Sequence, residues 1–375
     1  MANPKTPEAN NHLLALDILR GLAALAVFSA HFAQQFLPMG ELGWIARAFG
    51  LMGVMGVAIF FVLSGFLIHL GTIREEEKTG RVNWKHYARR RFLRIYPAYI
   101  AALIGYAIFV PMTQSTMVNT VTLKGFITHA LLISSFYTDE YNGISGIFWT
   151  VIVECHFYAI YPLVYRTIRK IGAFKFFLTA WIFGMAYFFG ATLMTQAGEA
   201  RVMLQMTAPA LFWKWILGIV LAQAYVAFGD SQLKRSLKNP WLIIPVMVLL
   251  FAGTIPNNPS IELNYTRFAL PFICMAVVGL LLFSPLRSWR SRMGEWLGQI
   301  SYSVYLWHPL ALALIATWPM SSTGLNLTAS LALSLLVAAC SYYLIERPAM
   351  RFGKPKIWAP MNPDAKAAKV TEQQA

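Results

Sequence analysis

Stretches of about 20 residues with almost no charge recur along nearly the whole of this chain. A helix of that length matches the hydrocarbon thickness of a bilayer and satisfies its own backbone hydrogen bonds there. The runs are continuous rather than alternating, which argues against a β-barrel. Only 13% of the 375 residues are charged and the mean hydropathy is +0.53, where a soluble domain carries about 25% charged residues. The chain therefore reads as an all-α, polytopic integral membrane protein. We place about ten transmembrane helices, at 13–35, 51–72, 95–111, 147–166, 174–194, 208–228, 241–256, 266–283, 300–318 and 325–345. The segment 125–136 is apolar but too short to cross, and reads as a partly inserted or interfacial helix. The first run is longer than a signal-peptide core and lacks a small-x-small cleavage site, so it is expected to be retained. Residues 1–12 form an N-terminal segment, 13–352 the transmembrane unit, and 353–375 a polar tail expected to be disordered.

The net charge of +15 would suggest nucleic acid in a soluble protein. Here no soluble module interleaves basic and aromatic residues, so the charge reads as topology and no nucleic-acid partner is expected. Residues 73–94, taken as a loop, hold Arg74, Lys78, Arg81, Lys85, Arg89, Arg90, Arg91 and Arg94. The next basic groups are Arg166/Arg169/Lys170/Lys175, Lys234/Arg235/Lys238, Arg287/Arg290/Arg292 and Arg347/Arg351/Lys354/Lys356, each after an even-numbered span. The alternate loops hold only Arg47, Lys124 and Arg201. Basic residues stay in the cytoplasm, so both termini are expected there. The three cysteines, Cys155, Cys274 and Cys340, fall in expected spans, which argues against a disulfide framework and a zinc site; no metal is expected.

Against this background, titratable residues inside spans stand out, because they are costly in lipid and are usually kept for function. Arg20 and His31 are eleven residues apart in the first span. At about 100° per residue they share one helix face, roughly 16 Å apart along the axis. Asp17, three residues before Arg20, can pair with it. Glu154 lies in the fourth span at a depth similar to His31, and a carboxylate beside an imidazole orients it as a general base. His156 faces differently. Arg91 and Arg94 are one turn apart at the cytoplasmic mouth of the third span and can fork onto phosphates, although basic residues collect at such mouths in every membrane protein. Ser64-Gly65 in the second span suits close helix packing, with a catalytic serine the alternative. Ser301, Tyr305 and His308 share a face of the ninth span, lining a cavity or forming a hydrogen-bonded seam, and Pro309 is expected to kink that helix. Lys214 sits in the outer third of the sixth span, where it contacts an anion or snorkels outward. Glu346-Arg347 reads as a helix-end ion pair.

These motifs, taken in order, resemble the membrane-bound acyltransferase-3 family, which includes O-antigen and exopolysaccharide O-acetylases. The matching pieces are Arg20 with His31, FFVLSGFLI at 60–68, RRRFLRIYPAY at 89–99, FWTVIVE at 148–154, SYSVYLWHP at 301–309 and IERP at 345–348. Where the family often has Trp-Ser-Leu before the acid, this chain has Trp149-Thr150-Val151, which keeps a hydroxyl. The resemblance implies a bacterial cytoplasmic (inner) membrane enzyme that moves an acyl group, acetyl by default, from cytoplasmic acyl-CoA to a carbohydrate hydroxyl. It implies His31 as the essential histidine, Arg20 as its paired arginine, Arg91 and Arg94 as the arginine motif and Glu154 as the acid.

The mechanism expected on this basis places the phosphates of acyl-CoA on Arg91 and Arg94 with help from Arg90. The donor arm passes Arg20, Ser64 and Tyr305. His31, oriented by Glu154, deprotonates an acceptor hydroxyl held among Trp149, His308 and Lys214. A transient acyl-enzyme on His31 or Ser64 is the alternative to direct transfer. A transporter handing acyl groups to a separate extracytoplasmic transferase is the rival class, weakened by the lack of an internal repeat. A scaffold without chemistry leaves Arg20, His31 and Glu154 unexplained. Lipid is an expected partner, and a homo-oligomer is compatible with the sequence.

Overall fold

The computed structural model describes residues 8–37, 43–115, 117–228, 248, 265–283 and 291–352. All but Val248 of the expected seventh span, the basic groups at 234–238 and 287–290, and the 353–375 tail lie outside the described residues. The described chain is helical, with no strand among these residues beyond one isolated bridge between Val118 and Ser145.

The helices are α1 (Glu8–Phe36), α2 (Gly43–Thr79), α3 (Trp84–Phe109), α4 (Leu123–Ala130), α5 (Phe148–Ile171), α6 (Ala173–Met194), α7 (Glu199–Gln205), α8 (Ala208–Phe228), α9 (Leu270–Phe283), α10 (Arg292–Thr317), α11 (Thr323–Ser341) and α12 (Arg347–Phe352). Wider π turns at Tyr265–Ala269 and Tyr342–Glu346 lead into α9 and α12. Each expected span on described residues coincides with a helix. Eight helices among the described residues are long and apolar enough to cross a membrane. The protein is a polytopic membrane protein. Helix α5 is long enough but falls outside the eight, because Glu154, His156 and its tyrosines dilute its apolar character.

Boundaries differ from expectation at one end. Residues 73–94 are mostly not a loop: α2 runs on to Thr79 and α3 begins at Trp84. Asn83 caps α3 by accepting from the His86 N–H, so the turn is only four residues long. At 37 residues α2 is about 55 Å long, well beyond the hydrocarbon core, and its charged last turns project from the bilayer. There Glu75 pairs with Arg90 at 3.1 Å and Glu76 with Arg169 at 3.4 Å. The short segment behaves as expected: α4 is eight residues long and cannot cross, and Leu123 and Ile127 on it and Leu131 just after it are exposed. Lys124 at its start pairs with Asp139, whose hydrogen bond raises the lysine pKa and lowers that of the aspartate.

Helices α1, α2, α8 and α10 form the centre of the bundle. In lipid, apolar surface alone does not hold helices together, so contact relies on close packing and small residues. A Cβ at Gly65 would sit 2.2 Å from the Trp215 carbonyl oxygen, and one at Gly218 would sit 2.0 Å from that of Val62. Only two glycines facing each other let α2 and α8 approach this closely. Around the crossing, Phe61, Phe157, Tyr161, Trp213 and Trp215 form a buried aromatic cluster. Buried polar groups are paired across helices: His69 lies 2.9 Å from the Tyr161 hydroxyl and 2.8 Å from the Gln223 amide.

Candidate active site

Among the described residues, two cavities of the bundle share walls, one toward the basic end and one toward the opposite end. The first, of about 820 Å³, is lined by Arg20 of α1, Ser64 of α2, Arg91 and Arg94 of α3, Glu154 and Tyr158 of α5, and Tyr302 and Tyr305 of α10. Thr150, Glu154 and Tyr158 recur every fourth residue along α5, so the helix presents them as one stripe. Arg91 has no carboxylate partner among the described residues; its guanidinium lies 5.9 Å from the Tyr87 ring and 5.8 Å from that of Tyr158. Arg20 is 3.7 Å from Asp17, as expected, and Arg94 is 3.9 Å from Glu346. Glu346 is fully buried and also accepts a hydrogen bond from Ser303 at 3.0 Å. It pairs with Arg94, not with the adjacent Arg347, because the π turn directs it inward while Arg347 stacks on Tyr343.

The polar chain in this cavity has one direction. Trp215 donates to the Ser64 hydroxyl at 3.2 Å, and the Tyr158 hydroxyl donates to Glu154 at 2.5 Å. The remaining contact, Ser64 to Tyr158 at 2.9 Å, is therefore made with the Ser64 proton. That proton is committed to a chain ending on a carboxylate, and among the described residues no imidazole contacts Ser64, so the hydroxyl is not poised as a nucleophile.

The second cavity, of about 1660 Å³, is lined by His31, Gln34, Trp149, Lys214 and Arg267 among others. It adjoins a polar cavity of about 1050 Å³ walled by His31, Gln34, Gln35, Asn119, Asn142 and Trp149. Trp149 stacks on Tyr141 with ring centroids 6.5 Å apart. Amides beside aromatic rings that line a cavity are groups that hold sugar hydroxyls and C–H surfaces. The His31 ring is thus not sealed: it forms part of both walls.

His31 is held from behind by His308 (Nε2 to Nδ1, 3.0 Å). The backbone explains the arrangement. Pro309 has no N–H, so the carbonyl of Tyr305 four residues earlier loses its helical partner. The Nδ1 of His308 takes that place, 2.8 Å from the Tyr305 oxygen and 3.1 Å from that of Val304. Carbonyls only accept, so His308 carries its proton on Nδ1 and, when neutral, offers a lone pair at Nε2. Nδ1 of His31 must then be the donor, shared between His308 and the Val27 carbonyl at 3.0 Å. This fixes the tautomer of His31 and leaves its Nε2 unprotonated, without a partner among the described residues, on a ring bordering the cavity.

The two main cavities share four wall residues: Val57, Phe61, Thr150 and Tyr305. The hydroxyls of Thr150 and Tyr305 are 2.6 Å apart, and both reach the Ile147 carbonyl, at 2.9 and 3.2 Å. A hydroxyl pair on an apolar collar thus divides the arginine side from the histidine side. The hydroxyl retained at Thr150 serves this partition.

Several expectations need correction. Glu154 does not orient His31; it bonds Tyr158 on the other side of the partition, and the partner of His31 is His308. Similar depth in two helices does not fix which side of a cavity a side chain enters. His308, expected at the acceptor, is fully buried and lines neither cavity. Arg90 is tied to Glu75 and lines neither. Ser301 is buried against the Gly298 carbonyl at 2.8 Å, so of its trio only Tyr305 meets a cavity. At Pro309 the His308 ring takes up the freed Tyr305 carbonyl, and α10 continues through the proline to Thr317. His156 bonds the Leu132 carbonyl at 2.9 Å, away from both cavities. Arg20, Ser64, Arg91, Arg94, Glu154 and Tyr305 do gather in the first cavity, and His31, Trp149 and Lys214 in the second. Sequence reading missed Tyr158 and Arg267; the four-residue stripe on α5 carried the signal for the former, and Arg267 had none.

Residues 13–346 match the acyltransferase domain family Acyl_transf_3, and the chain belongs to that family. It is 26% identical to "Acyltransferase MdmB" of Streptomyces mycarofaciens, over 96% of this chain and 98% of that protein. It is 27% identical to "Nodulation protein 10" of Rhizobium leguminosarum bv. viciae, over 93% of this chain and 96% of that one. The match to "Putative peptidoglycan O-acetyltransferase YrhL" of Bacillus subtilis is 23% identical, over 90% of this chain and 55% of the longer protein. No solved structure matches the chain.

Proposed function

We propose that the protein is an O-acyltransferase that takes an acyl group, acetyl by default, from acyl-CoA at the basic, cytoplasmic end and delivers it to a carbohydrate hydroxyl in the opposite cavity. The observation that carries this reading is the meeting of an arginine-lined cavity and a histidine-bearing cavity at Thr150 and Tyr305, with His31 Nε2 left free as a base. Unpaired Arg91, beside Arg94, suits the phosphates of CoA. The donor arm lies along Arg20 and Tyr305, its thioester at the partition. His31 Nε2 removes the proton of an acceptor hydroxyl. The alkoxide oxygen bonds to the thioester carbonyl carbon, the C–S bond breaks, and the imidazolium returns the proton to the departing thiolate. The products are the ester and free CoA. Holding both substrates at one partition makes the step effectively intramolecular. The amides and Trp149–Tyr141 stack of the outer cavity favour a sugar acceptor. An outward path for the acyl group fits a location in the cytoplasmic membrane of a bacterium.

The test is to incubate the purified protein in lipid nanodiscs with acetyl-labelled CoA and a glycan extract of its source cells. Label in glycan that is released by mild alkali is expected. Absence of transfer with wild-type protein, or transfer undiminished in His31→Ala, overturns the assignment.

A further inference from the structure

Lys214, which the sequence reading put at the acceptor, and Arg267 take no part in the transfer step itself, yet both line the histidine-side cavity. They also line a small side chamber, whose remaining walls include Gln205, Met206, Trp213 and Phe268. Among the described residues, no aspartate or glutamate lines either space. Neither cation has a hydrogen bond or ion pair among the described residues; the ammonium of Lys214 lies 5.7 Å from the Trp213 ring and the guanidinium of Arg267 lies 5.0 Å from that of Phe188. Charges in a membrane bundle are ordinarily paired with each other or with backbone carbonyls. Two cations lining one space, with no counter-charge among the described residues, repel each other and lack compensation, and an oxyanion between them supplies it. Lys214 is seven residues into α8, so outward snorkelling is a competing account. Its place in the walls of both spaces directs it inward instead.

We propose that this chamber is an oxyanion subsite for the acceptor, so that the acceptor is an acidic saccharide, bearing a carboxylate or a phosphate ester on or next to the acylated unit. The inference rests on the acyl-transfer reading for what the bound molecule undergoes, but not for its binding. Lys214 supplies a point charge and Arg267 a planar fork, while the sugar hydroxyl to be acylated lies toward His31 in the same cavity. The cationic pair acts as a specificity device: a neutral sugar of the same shape leaves both charges uncompensated, and is disfavoured for that reason.

The test is a footprint of the full-length protein in detergent micelles. The rate of reductive methylation at Lys214 is followed by peptide mass spectrometry, with glucuronate, glucose 6-phosphate, glucose or CoA added. Protection by glucuronate, by glucose 6-phosphate or by both is expected, and its pattern tells a carboxylate acceptor from a phosphorylated one. Arg267→Gln should abolish that protection while the protein still elutes as a folded species. Equal protection by glucose, protection by none of the anions, equal protection by CoA, or full protection in Arg267→Gln overturns the proposal. A second readout separates it from the transfer reading. Labelled glycan from the acetyl-CoA assay should be retained on an anion exchanger under conditions that leave the ester intact. If all labelled glycan flows through, the subsite is wrong and the transferase stands. If Lys214 is protected and no glycan is ever labelled, the subsite stands and the transferase reading fails.

Discussion

Nε2 of His308 lies 3.0 Å from Nδ1 of His31, joining two helices 277 residues apart in sequence. The contact does more than bury two polar rings. A proline removes one backbone donor, a histidine takes over the freed carbonyl, and a second histidine is thereby held in the tautomer that presents a lone pair to the cavity.

His308 should therefore act as a positioning residue. His308→Leu removes the acceptor for His31 Nδ1 and frees the ring to take the other tautomer. We expect kcat to fall by about 100-fold with little change in the KM of either substrate, within the range of acid–base contributions. His308→Gln places an amide oxygen near the lost nitrogen and should recover much of that loss. His31→Ala should lose about 10²- to 10⁴-fold. Steady-state rates with labelled acetyl-CoA check all three, and equal defects in the Leu and Gln variants would sink the tautomer argument.

The two arginines should separate on mutation. Arg91 has only ring contacts, so Arg91→Gln should raise the KM for acyl-CoA by about 10- to 100-fold, the worth of a charged hydrogen bond, and leave stability unchanged. Arg94→Gln should do the same and also lower stability, because it deprives fully buried Glu346 of its cation. Pairing that variant with Glu346→Gln should restore the melting temperature but not the KM. A donor lacking the nucleotide phosphates should be used equally by wild type and both arginine variants.

The partition predicts a change in the fate of the acyl group. Tyr305→Phe and Thr150→Val each break the hydroxyl pair between the cavities. Acyl-CoA hydrolysis is expected to rise relative to transfer, measured as free acetate against labelled glycan, because water on the acceptor side then reaches the thioester without an acceptor in place. Thr150→Ser keeps the hydroxyl and should behave as wild type. An unchanged ratio in all three variants would remove the partition from the mechanism.

Helix spacing can be tested independently of chemistry. Gly65→Ala places a methyl group 2.2 Å from a backbone oxygen of α8, which cannot move without shifting the helix. A loss of about 1–3 kcal/mol is expected, read as a lower melting temperature in detergent. Gly190→Ala, with nothing within 4 Å, is the matched control and should melt as wild type.

The sequence by itself determined that this chain crosses a membrane repeatedly as helices, because each helix closes its own backbone hydrogen bonds and only apolar length is needed to read it. It also singled out Arg20, His31, Arg91, Arg94 and Glu154, since charge in lipid stands out residue by residue. Which of these share a cavity was not legible there. Helical periodicity says that Thr150, Glu154 and Tyr158 share a face, but not that α5 turns that face toward the arginines rather than His31. The close crossing of α2 and α8 at Gly65 and Gly218, the carbonyl freed by Pro309 and the rotation of each helix about its own axis settled that, and with it the pairing of His31 with His308. Such pairings depend on contacts between segments far apart in the chain, and the energy of each exists only once the others have formed.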